Sequence, residues 1–134
     1  MGNLFPRILL AFSGLILLAG GLMHAAAYGK TVAATAASDL PPFFANSLKA
    51  LWLIDSATLI TLSVTLGWLA VRPAFAHRSV VLLLAIIPAA TAFFLYRFIG
   101  NFLPAHMLVV AATAVVLGAL GLSSSAQRGA TSTI

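Results

Sequence analysis

A chain of 134 residues that is 62% hydrophobic, 7% charged and free of cysteine is too apolar for a soluble domain of its size. A small domain has too much surface for its volume to hide so many apolar side chains, and the mean hydropathy of +1.12 names lipid as the solvent. The absence of cysteine excludes disulfides, thiolate metal sites and cysteine nucleophiles. The net charge of +5 comes from seven Lys or Arg scattered along the chain, which excludes a nucleic-acid surface and marks them as topology and headgroup anchors.

In chain order, Met1 to Arg7 is a short basic start and Ile8 to Tyr28 is the first apolar stretch, opened by Pro6, which suits a first helical turn. Ala25-Ala26-Ala27 has the small-residue pattern of a signal-peptidase site, yet the expectation is a retained first span over 8–28. Ser13, Leu17, Gly20, His24 and Tyr28 recur at steps of three or four and form one stripe, where Gly20 and Gly21 permit close approach of another backbone. The connection from Gly29 to Asn46 is polar, is broken by Pro41-Pro42, and has room for a short surface helix over Ala33 to Ala37.

The second span is read over 48–71, with Ser47 as its cap and Trp52 and Trp68 near its two ends as an aromatic belt would place them. It carries one carboxylate, Asp55, followed by Thr58, Thr61, Ser63 and Thr65. A short basic loop with Arg72, His77 and Arg78 leads to a third span over 80–99, interrupted by Pro88. Gly100 and Asn101 turn the chain, and a fourth span over 104–122 offers Ala114, Gly118 and Gly121 for close packing. The tail over 123–134 is small, polar and expected to be flexible.

The fold class expected is therefore an all-α integral membrane protein in one domain: an antiparallel up-down bundle of four transmembrane helices with both termini on the same side. Arg7, Arg72, Arg78 and Arg128 fall on the terminal side, against Lys30, Lys49 and Arg97 on the other. The positive-inside rule then predicts cytoplasmic termini, as in a bacterial cytoplasmic membrane.

The polar residues converge on the leaflet away from the termini. His24 and Tyr28 end the first span, Asp55 lies early in the second, Arg97 and Asn101 end the third, and His106 opens the fourth. With the helix starting at Leu48, Asp55 is the deepest of them, about 12 Å inside. A charge there needs a partner or water, and Arg97 is the simplest partner. Thr58 and Thr65 share the side of Asp55, whereas Ser56, its chain neighbour, points about 100° away. Hydroxyls in spans ordinarily bond the carbonyl four residues back.

Two cofactors have to be weighed against this set. Haem could lie between His24 and His106, and a divalent metal could be held by His24, Asp55 and His106. Neither signal is local in sequence, so none is favoured, and the ordinary reading of the histidines is interfacial hydrogen bonding. No nucleotide loop, HExxH motif or nucleophile elbow is present.

The leading expectation is a binding or accessory protein. It would engage a membrane lipid, a small amphipathic ligand or a partner membrane subunit through Asp55, Arg97, His24, Tyr28, Asn101, His106 and Thr58. One alternative is a membrane enzyme with Asp55, His24 or His106 as acid or base and Arg97 on an anionic headgroup. The other is a subunit of an oligomeric transporter or channel, lined by Thr58 and Thr65 and assembled through the small-residue faces of the first and fourth spans.

Overall fold

The computed structural model describes residues 4–122, and the tail over 123–134 lies outside the described residues. The chain folds into helices α1 (Leu4–Ala26), α2 (Tyr28–Ala36), α3 (Pro42–Val71), α4 (Arg78–Phe98) and α5 (Leu103–Gly121), with a 3-10 turn at Pro73–Phe75. Four stretches are long and apolar enough to cross a membrane, counting α1 and α2 as one. At about 1.5 Å per residue, even α5 approaches the roughly 30 Å hydrocarbon thickness. Side chains such as Phe12, Leu15, Leu83, Ile86 and Phe94 stand exposed on the outside, where lipid accepts them. The chain is an all-α polytopic membrane bundle.

Helix direction follows from which ends meet. Arg7 of α1 bonds Ala70 near the end of α3, whereas His24 meets Ser56 in its earlier half. Ser13 bonds the Ala111 carbonyl, and Pro6 lies against Gly121, so α5 also runs antiparallel to α1 and ends beside its start. α1 is the central element: it packs on α3 on one side and on α5 on the other, and α5 in turn packs on α4. α3 and α4 do not close against each other. Between them runs a groove lined by Thr58, Thr61, Thr65, Leu84 and Ile87.

Small residues create these close contacts. A Cβ on Gly14 would stand 3.1 Å from the Ser63 carbonyl oxygen, and one on Gly21 would stand 3.1 Å from Leu59 Cβ, so both positions let α3 approach α1. Gly118 meets Leu10 and Gly121 meets Pro6 in the same way across α1 and α5. Gly21, Gly118 and Gly121, on the faces expected to support oligomer assembly, are thus used inside the bundle, whereas Gly20 is not. Leu10, Leu17, Leu66, Val81 and Val115 are among its fully buried apolar side chains.

The second span differs from expectation at its start. α3 begins at Pro42, not at Leu48, because proline fits the first helical position, where its missing N–H costs nothing. Ser47 is consequently an interior residue and not a cap. The α1–α3 register pairs His24 with Trp52 and Ser56, so roughly the first ten residues of α3, about 15 Å, project past the end of α1. α2, longer than the short helix expected, packs on α3.

Candidate functional site

Where α1 ends, α3 continues and the α4–α5 turn closes over, the bundle is not fully packed. A cavity of about 340 Å³ opens there, lined from α1, α3, α4 and α5. Most of its wall is apolar, including Ile16, Leu17, Leu59, Leu95 and Met107. Gly20 is part of that wall and has nothing within 4 Å of where a Cβ would stand. Its neighbour Gly21 faces the tight α3 contact instead. The sequence reading gave the two glycines one role, and a 100° turn of the helix separates them into two.

Among the described residues, His24 and Asp55 are the ionisable side chains of this wall, which includes no lysine or arginine. His24 is held from three directions. Its ring stacks on Trp52, with centroids 3.9 Å apart and planes 12° from parallel. Its carbonyl, in the last turn of α1, accepts the Trp52 indole N–H at 2.6 Å. That bond supplies a donor to a helix-end carbonyl just where α1 gives way to α2. Its Nδ1 lies 2.9 Å from Ser56 Oγ.

Ser56 has one hydroxyl proton and gives it to the Trp52 carbonyl at 2.9 Å. With the proton so placed its oxygen accepts from His24 Nδ1–H, and with the proton turned to the ring Nδ1 accepts instead. Nε2 is left facing Asp55 Oδ2 across 3.7 Å, too far for a direct hydrogen bond. The two side chains are 28% and 39% exposed, so both remain reachable from the cavity.

Arg97 is not the partner of Asp55. Its guanidinium lies 5.5 Å from the Phe98 ring centre, on an exposed stretch at the end of α4, and His24 takes its place beside the carboxylate. Nor is Asp55 deeply sunk in the bundle. It is about 20 Å along α3, yet because α3 overhangs α1 it lies level with the last turn of α1 and the α4–α5 turn.

The remaining candidates disperse. His106 is exposed, its Nδ1 is 2.9 Å from the Phe102 carbonyl oxygen, and its ring meets Tyr96 edge-on. It is not in the cavity wall, and among the described residues no three His, Asp or Glu side chains gather as a metal site would require. Tyr28 is half-buried at the start of α2, and Asn101 is exposed in the turn after Gly100, whose φ of +101° suits glycine. Thr58 bonds the Ile54 carbonyl and Thr65 the Thr61 carbonyl, both four residues back, and both line the α3–α4 groove rather than the cavity. Thr91 does reach the cavity wall, with its hydroxyl bonded to Ile87.

Trp52 and Ser56 were not among the sequence candidates. The signal was present: Trp52, Asp55 and Ser56 stand at i, i+3 and i+4, the spacing of one helical face. Judging Ser56 only against Asp55 hid the fact that both could meet a third residue. The chain matches no protein-family model, no curated protein and no solved structure. The functional reading therefore rests on the site itself.

Proposed function

We propose that this protein is a membrane binding protein that holds one small amphipathic molecule in the cavity, with the apolar part among α1, α3, α4 and α5 and the polar head at His24 and Asp55. The observation that carries this reading is the pairing of an apolar wall with a single polar end. A volume of about 340 Å³ lies within the usual range of small-molecule sites, about 300–1,000 Å³, which are mostly apolar with a few placed polar groups. Its position at an end of the bundle lets a lipid-like molecule enter with its head level with the membrane surface. Counting Arg128, four basic residues belong to the terminal end against Lys30, Lys49 and Arg97 at the cavity end, a balance that favours cytoplasmic termini and a cavity in the outer leaflet.

A photoactivatable dodecyl probe with the reactive group at the chain end tests the reading. Irradiated in lipid nanodiscs, it is expected to label cavity positions such as Leu95 and Met107 at saturable, low probe concentration. Gly20→Leu, which fills the cavity from a position with free space around it, should abolish that labelling. Labelling that never saturates, or that spreads evenly over outward residues such as Leu83 and Phe94, would reject the proposal.

A further inference from the structure

The polar end of the cavity has a chemistry that selects its ligand, and this inference rests on the binding reading above. Asp55 is the acidic group of the wall, and among the described residues no lysine or arginine of the wall offsets it. Other nearby cations are engaged elsewhere or face outward. Lys49 reaches Asn46 on its own helix, Lys30 is exposed on α2, and Arg97 covers Phe98. An anionic head would therefore meet a carboxylate and no counter-charge.

The hydrogen-bond inventory narrows the choice further. In the tautomer that donates Nδ1–H to Ser56, His24 presents the lone pair of Nε2, and Asp55 presents carboxylate oxygens. Two acceptors thus face each other 3.7 Å apart. A hydroxyl has one proton and can serve only one of them. A quaternary ammonium has the charge but no donor. A primary ammonium has both: one N–H for Nε2, one for Asp55, and a positive charge beside the carboxylate.

We propose that the cavity takes a lipophilic primary amine, bound as its ammonium between His24 Nε2 and Asp55. Besides His24 and Asp55, the described residues that line the cavity are uncharged, among them Thr91 and Leu95 from α4, Met107 and Leu108 from α5, and Trp52 from α3. Tyr28, the first residue of α2, is absent from the wall.

Trp68→Phe leaves Trp52 as the chain's single tryptophan, so emission in nanodiscs reports the cavity directly. Dodecylamine, dodecyltrimethylammonium, dodecanol and dodecanoate share one chain length and differ in head, and empty nanodiscs correct for partition into lipid. Dodecylamine is expected to bind at least tenfold more tightly than each of the other three. Asp55→Asn should lose that preference while dodecanol affinity stays within threefold, and Asp55→Glu should retain it. Equal affinity for amine and carboxylate, or an Asp55→Asn protein that keeps the amine preference, overturns the inference. If dodecanol still binds and Gly20→Leu removes it, only the head-group assignment fails. If no probe binds, or Gly20→Leu binds like the parent, the cavity reading fails with it.

Discussion

The two ends of α1 are made from similar small and apolar residues, yet they do opposite things. At the end beside the chain termini, Pro6, Leu10, Ser13 and Gly14 are buried against α3 and α5, and Ser13 spends its hydroxyl on the Ala111 carbonyl. At the other end, Gly20 looks into open space and His24 stands half-exposed beside a carboxylate. Lipid tails are as apolar as leucine, so helix association in a membrane depends on close packing and on interhelical hydrogen bonds. The first end satisfies both requirements. The second gives up close packing over about 340 Å³ and keeps its polar contacts, which is the arrangement expected of a binding site.

The neighbouring glycines offer the sharpest way to break that contrast. Gly21→Leu should be the most damaging substitution, costing roughly 3 kcal/mol or more, because its side chain must displace α3 at Leu59 and Ile60. A thermal melt in mild detergent reads this as loss of the folded state, and an unchanged midpoint would show that the α1–α3 contact is not tight. Trp52→Phe comes next. It keeps an aromatic ring against His24 but loses the indole bond to the His24 carbonyl, for a cost of about 1 kcal/mol.

Gly20→Ala should act in the opposite direction, raising stability by roughly 0.5–1 kcal/mol, since alanine favours the helix and meets no neighbour. A destabilised Gly20→Ala protein would mean the cavity wall is closed. Arg7→Gln is the mildest change. It removes a cation whose Nε–H donates to the Ala70 carbonyl in the last turn of α3, an interaction worth about 0.3–1 kcal/mol, visible as a small drop in the same melt.

Much of the fold was legible in the sequence because lipid imposes it. Apolar runs of about twenty residues, with short polar connections, leave few architectures. The boundary of α3 was less legible: Pro42 can end one segment or begin the next, and only packing with α2 and α1 decides. That one boundary changes the meaning of Asp55. Counted from Leu48 it is a deep charge in need of an arginine, whereas in register with α1 it sits at the bundle end beside His24.

The convergence of His24 and Asp55 on one end followed from counting spans. Their contact did not, because the rotation of each helix about its axis is set by the glycines that touch and not by hydropathy. His106 and Arg97 share that end but turn toward Phe102 and Phe98. Length along a helix gave their level, and their direction needed the structure.

Native mass spectrometry of the protein released from its own membranes in mild detergent tests the central claim most directly. The account predicts one small co-purifying molecule per chain in the parent, with a basic nitrogen by fragmentation, and none in Gly20→Leu at equal folded content. A parent without any bound molecule, or the same adducts on both proteins, would contradict it.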